Sequence, residues 1–268
     1  MDKPNSDILQ TLISMADKGT LTGCFADVPV EVYHHSQCPG ISSTQLKGII
    51  KKSYAHFCNE KRTESPALKF GSAFHCFVNE PEEFSNTYQI IYGEKTERLQ
   101  SGRIALSIDD FETIKVMQKK VFEHPDAGPL IFDAQFELTY WSVDQQTGIL
   151  KKCRVDAIKN KIISDLKSCA DASAETFARD ARKYLYRISG AYYLEIVSEV
   201  LGEHLETFNL IACEKQQPHE INVFRISDNS LRKANEEIRH ALKIIQTIHE
   251  QGAKAWSGYD LGIKDLHI

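Results

Sequence analysis

The stretch from Cys153 to Ser168, C-R-V-D-A-I-K-N-K-I-I-S-D-L-K-S, places two carboxylates, Asp156 and Asp165, close in the chain to the ammonium of Lys167. Two acids brought side by side can share a hard cation that prefers oxygen ligands. A lysine beside them can orient or help deprotonate an attacking water, and can offset charge on a phosphate. Magnesium held there would polarise a phosphoryl oxygen and lower the pKa of a bound water. These are the groups that hydrolysis of a phosphodiester requires.

Whether they meet depends on the strands that carry them. Side chains alternate along a strand, so Asp165 and Lys167 share one face and Leu166 points the other way. A two-residue turn at Lys159-Asn160 would pair residue 156 with 163 and 154 with 165. That register puts Asp156 on the same face, about 7–8 Å diagonally from Asp165. An Asp-x-Lys triplet also arises by chance on solvated strand faces. Ile162, Ile163 and Leu166 instead mark a buried strand, where unpaired charges are costly.

The surrounding pattern supplies the rest of an α/β core. Phe136 to Val143 alternates and is rich in β-formers, and strands are expected over 149–158 and 161–168. A long helix is expected over 173–200, with Phe177, Ala181, Tyr184, Ile188 and Ala191 on one stripe. Two more strands, 207–213 and 221–226, and a helix over 228–251 follow. Upstream, a helix opens at Ser42, where Gln45 completes a capping box, and another runs from near Leu68 to a stop at Pro81. Residues 1–40 read as a helix and a loop, and 41–268 as a single domain.

Other candidates are weaker alone. Ser42, Ser43 and Lys47 lie at a helix N-terminus, where free N–H groups favour anions such as a terminal phosphate; ordinary capping also explains Ser42. Lys51, Lys52, Lys61, Arg62 and Lys69 make this half locally basic and could line a DNA channel or form a solvated surface. Glu137 could approach a metal from the neighbouring strand, yet its alternation fits an exposed face.

The bulk numbers exclude several classes. The chain has 268 residues, is 42% hydrophobic and 26% charged, and carries a net charge of −5. No run approaches the roughly 20 apolar residues of a membrane span, and Met1-Asp2-Lys3-Pro4 lacks the order of a signal peptide. A cytoplasmic location is expected. Seven cysteines without a CxxC pair read as small hydrophobes rather than thiolate ligands.

One segment adds specificity. Gly71-Ser72-Ala73-Phe74-His75 followed by Glu80-Pro81-Glu82-Glu83-Phe84 resembles the G-[ST]-A-F-H and E-P-E-E-F elements of RecE-type exonucleases (exodeoxyribonuclease VIII). The C-R-x-D element ending in Asp156 and the D-x-K of Asp165 and Lys167 follow in the same order. The resemblance runs from about Ile41 to Trp256-Ser257-Gly258-Tyr259. It implies the PD-(D/E)XK superfamily and a lambda-exonuclease-like fold: a central mixed sheet flanked by helices, with an N-terminal helical elaboration.

It also implies 5′-to-3′ degradation of linear duplex DNA, a homo-oligomeric ring and a single-strand annealing partner. His75 would join Asp156, Asp165 and the Leu166 carbonyl at a magnesium site, with manganese as the alternative. Imidazole suits a transition metal better than magnesium, so His75 could act through a water; a lone histidine between Phe74 and Phe77 also fits a core or surface role. The family carries a glutamine and, four residues on, a tyrosine after its D-x-K strand. Tyr193 fits the tyrosine, and Tyr192 beside it fits core packing equally well. Ser189 stands at the glutamine position, too short for the same contact with a phosphate or water. Two other readings stay open: an endonuclease of the same fold, and a DNA-binding protein that has lost turnover.

Overall fold

The computed structural model of the chain describes residues 3–59, 65–93 and 99–252. Arg62, Lys61 and the Trp256–Tyr259 element lie outside the described residues. The first layer is α1 (Lys3–Asp17), β1 (Gly23–Phe25) and α2 (Val30–Tyr33). Leu9, Leu12, Leu21 and Val32 there pack with Trp141. Next come α3 (Ser43–Lys51), α4 (Tyr54–Asn59), α5 (Pro66–Asn79) and α6 (Pro81–Thr87). The Ser42–Gln45 capping box forms as its spacing predicts. Pro81 ends one helix and occupies the first turn of the next, where its missing N–H costs nothing.

A parallel pair, β2 (Tyr88–Ile91) and β3 (Ile104–Ser107), precedes α7 (Ile108–Glu123) and α8 (Gly128–Ile131). The core strands are β4 (Gln135–Val143), β5 (Leu150–Lys159), β6 (Ile162–Cys169), β7 (Thr207–Glu214) and β8 (Ile221–Arg225). Between β6 and β7 come α9 (Ala174–Lys183) and α10 (Tyr186–Leu201), and α11 (Asp228–Gln251) closes the described chain. The sheet runs β1-β4-β5-β6-β7-β8, parallel only between β6 and β7.

Both faces of the sheet are covered. On one, Leu46, Phe177, Ile188, Tyr192, Ile238 and Leu242 pack against Val155 and Ile163. On the other, Phe70, Phe74, Ile114 and Met117 pack against Ala157 and Leu166. A mixed sheet flanked by helices is therefore the architecture, as the sequence suggests.

Two expectations need correction. The long helix over 173–200 is two helices, because Leu185 takes a left-handed conformation with φ 52 between them. Apolar periodicity spans the break and cannot reveal it. The β5–β6 turn is Asn160-Lys161 rather than Lys159-Asn160. Both central residues have positive φ, 49 and 66, as a type I′ turn demands, and Lys159 pairs with Ile162. The register moves by two, so Asp156 falls opposite residue 165 instead of 163, with the same parity.

Helix α10 is fixed to the sheet by buried charge. Lys151, fully buried, meets Asp144, Glu195 and Glu199, while Arg239 of α11 pairs with Asp144 and Glu195. This network sits at the far end of β5 from Asp156. Among the described residues no helix is long and apolar enough to cross a membrane.

Candidate active site

Two ladders break at Asp156. The β4–β5 register pairs Phe136 with Ala157 and Leu138 with Val155, so Glu137 and Asp156 face each other at an unpaired step. Glu137 has φ 53, and the in–out alternation flips across it: Phe136 and Leu138 pack on opposite faces of the sheet. On the other side, the β5–β6 ladder ends at Ala157↔Ser164. Beyond it the Leu166 N–H donates to Asp156 Oδ2 at 3.0 Å instead of to the neighbouring backbone. A side chain pointing into such a gap can reach both strands and the helix above.

That helix is α5. His75 Nδ1 lies 3.2 Å from Asp156 Oδ2, and these side chains keep 25% and 16% of their surface exposed. The site is thus deep but reachable. One ligand atom from each of His75, Glu137 and Asp156 can be chosen so that all lie within 4.8 Å of one another. Glu137 is not on a plain exposed face: its side chain is 14% exposed, Asn79 Nδ2 donates to it at 2.8 Å and Arg154 Nε at 2.6 Å. Arg154 also donates to the Val28 carbonyl at 2.6 Å. The arginine of the C-R-x-D element thus orients an acid on the next strand.

Asp165 is placed differently. Its carboxylate pairs with Lys167, whose Nζ also donates to the Leu166 carbonyl at 3.1 Å. Of the expected ligand set, His75 and Asp156 converge, and they do so with Glu137 rather than with Asp165. Glu137 stands in the inner group, and Asp165 and the Leu166 carbonyl are engaged by lysine.

The electrostatics follow from crowding acids in a gap. Burial, with Asp165 and Glu137 adding, pushes the Asp156 carboxyl well above its usual range against the pull of Lys167 and the Leu166 N–H. Burial and Lys167 hold His75 below the ordinary imidazole value. Burial disfavours the Lys167 ammonium too, but Asp165 and Asp156 outweigh it and raise its pKa. Lys167 is accordingly a fixed positive charge here.

Of the other candidates, Lys47 points toward this cleft. It makes no ion pair among the described residues, and its Nζ lies 5.7 Å from the Tyr186 ring centroid, close to where Lys167 lies, at 5.6 Å. Burial lowers its pKa to about 8, Lys167 and Lys51 adding and Asp165 opposing. The Ser42 hydroxyl accepts from the Gln45 N–H in the cap, and buried Ser43 meets Ser189 with the two Oγ atoms 3.4 Å apart. Tyr193 packs edge-on to Phe208, and burial, with Tyr33 and Asp165, raises its phenol well above the usual value. Tyr192 is core, its hydroxyl donating to the Ile41 carbonyl at 2.8 Å.

The donor set suits a divalent cation. Two carboxylates and an imidazole converge, and Asn79 Oδ1, buried beside Glu137, has no partner. His75, Glu137 and Asp156 would hold the ion; the nitrogen donor favours manganese at least as much as magnesium. When bound, such an ion supplies Lewis acidity toward a phosphoryl oxygen and a water of lowered pKa.

A mixed sheet covered on both faces, with acids gathered where two ladders part and a lysine two residues beyond the second acid, defines the PD-(D/E)XK nuclease fold. Residues 42–258 match the family described as "PDDEXK-like domain of unknown function (DUF3799)", and the chain belongs to that family. No curated protein matches it significantly. Among solved structures it is similar to a "Putative exonuclease" from Eubacterium rectale, with TM-score 0.63 and 18% identity over 84% of this chain and 87% of that one. That likeness speaks for the fold. The structure of SSO0001 aligns over 89% of this chain and 87% of its own with 12% identity and TM-score 0.34, too low to carry an argument.

Proposed function

We propose that the chain is a divalent-metal-dependent exonuclease acting on the ends of duplex DNA, with 5′-to-3′ polarity. The observation that carries this reading is the convergence of His75, Glu137 and Asp156 beside the Asp165–Lys167 pair. Asp156 and Glu137 would hold the cation, Lys167 would neutralise charge on the scissile phosphate, and Lys47 would bind a second phosphate nearby. Tyr193 flanks the acids from α10. Two hollows of about 290 and 360 Å³ lie elsewhere and are not lined by these residues.

The 5′ polarity, an annealing protein as partner and a ring assembly rest on the resemblance of the His75 and Asp165–Lys167 elements to RecE-type enzymes. The test is nucleotide release from linear duplex DNA bearing 5′-phosphate, with magnesium, manganese or EDTA, beside a closed-circular control. Metal-dependent loss of the linear DNA alone supports the proposal. Cutting of the circle would make the chain an endonuclease. Metal binding with no cutting of either would make it a DNA-binding protein, the reading that Ser189 in place of glutamine favours.

A further inference from the structure

The junction between α9 and α10 leads from the cleft to the surface. Leu185, in the left-handed conformation, buries its side chain. For a residue other than glycine that conformation is disfavoured. It lets Tyr184 and Tyr186, two apart, turn the same way: their rings stack with centroids 5.9 Å apart and planes 24° apart.

Tyr186 is the inner ring. It neighbours Phe177, which stacks on Phe224 in the core, and its ring receives the ammonium groups of Lys47 and Lys167. Tyr184 is the outer ring, 47% exposed, with Lys183 Nζ 5.1 Å from its centroid. The acids near this pair are Asp165, from the cleft, and Asp180, one turn back. A single exposed tyrosine needs no explanation. A pair of stacked rings with lysines at both ends, leading out from Lys167, does, because single-strand grooves combine ammonium groups for the backbone with aromatic faces for the bases.

We propose that Tyr184, backed by Tyr186, is a stacking platform for an unpaired nucleobase of the DNA strand held in the cleft, with Lys183 engaging a flanking phosphate. The enzyme would then grip a single-stranded or frayed end in preference to a closed base pair. The inference rests on the acid cleft being a phosphodiester site, yet its test needs no hydrolysis.

Binding of a short fluorescein-labelled oligothymidylate is measured by anisotropy in EDTA, for the parent chain, Tyr184→Ala and Tyr184→Trp. An abasic strand of equal length serves as control. A stacked base contributes about 1–3 kcal/mol, so Tyr184→Ala should weaken binding of the oligothymidylate by roughly 5- to 150-fold. Tyr184→Trp should restore it, and affinity for the abasic strand should not change. Equal binding by the parent and Tyr184→Ala, or an equal loss on the abasic strand, would overturn the platform. If binding behaves as expected but metal never brings hydrolysis, the platform stands and the nuclease reading falls.

Discussion

His75 Nδ1 and Asp156 Oδ2 stand 3.2 Å apart, joining helix α5 to strand β5 through a contact that needs a proton or a cation between its atoms. Burial holds the imidazole below its ordinary pKa and the carboxyl above, so neither supplies its full charge to the other. Without metal the raised carboxyl keeps a proton more readily than a free aspartate does.

A cation entering this site displaces that proton, so metal affinity should rise with pH. Calorimetric titration with manganese between pH 6 and 8, in buffers of different ionisation enthalpy, should show proton release and a tighter Kd at the higher pH. Affinity that does not vary over that range would mean that the cation sits elsewhere.

The raised carboxyl also makes a stability prediction. Asp156 binds its proton more tightly in the folded chain than in the unfolded one, where its pKa is about 3.9. Its contribution therefore favours folding at low pH and is lost as pH rises through the folded value. Once pH has passed the unfolded value the group costs stability, and Asp156→Asn should raise Tm in EDTA, by about 2–4 °C for each kcal/mol relieved. The amide can still accept from the Leu166 N–H. The same variant should lose hydrolysis and the Tm increase that metal gives the parent. An unchanged or lower Tm in EDTA would show that Asp156 is not strained.

How much of this was legible in the sequence follows from what each signal encodes. Asp165 and Lys167 could be placed on one face because strand parity survives a two-residue error in the turn, whereas Asp156 sits in the gap where Val155 and Ala157 pack on opposite faces. The Ser42 cap was equally readable, since both partners lie within one turn of helix. Glu137 was misjudged as exposed because its left-handed backbone inverts the alternation on which that reading depends. Leu185 was missed for a similar reason: nothing in its side chain announces a positive φ. Both are places where local propensity yields to the site.

Asp165 and Lys167 should separate metal binding from turnover. Lys167 touches no member of the His75–Glu137–Asp156 group directly, so Lys167→Met should keep the metal-induced Tm shift. Its rate should fall by about 10²–10³-fold, the range for losing one group that stabilises developing charge. Asp165→Ala should abolish hydrolysis with the far-UV circular dichroism intact. Activity near the parent level in either variant would remove that residue from the site.

Lys47 has its own signature. A charged hydrogen bond to phosphate is worth about 1.5–3 kcal/mol, so Lys47→Met should raise KM for 5′-phosphorylated ends by roughly 10- to 150-fold. It should narrow the difference from 5′-hydroxyl ends. Its pKa of about 8 means the ammonium is lost as pH rises through that value, so the parent's preference for phosphorylated ends should fade there. Lys47→Arg should keep the preference to higher pH, and a flat preference in the parent would place the phosphate elsewhere.

Ser189 tests the departure from the RecE-type pattern that the sequence resembles. It is 9% exposed and its hydroxyl meets that of Ser43, so α10 and α3 approach closely at this point. At Gly190 a Cβ would stand 2.8 Å from Ile226 Cδ1 and 3.2 Å from Phe208 Cδ1, so the helix cannot retreat toward the sheet. A glutamine at 189 must therefore push into the cleft or force the seam open, and overpacking of this kind costs about 1–3 kcal/mol. Ser189→Gln should lower Tm, and adding Ser43→Gly should recover part of the loss by making room. If Ser189→Gln instead leaves Tm unchanged and speeds hydrolysis, the longer side chain has reached the phosphate, and serine here is an attenuated version of the glutamine in the RecE-type pattern.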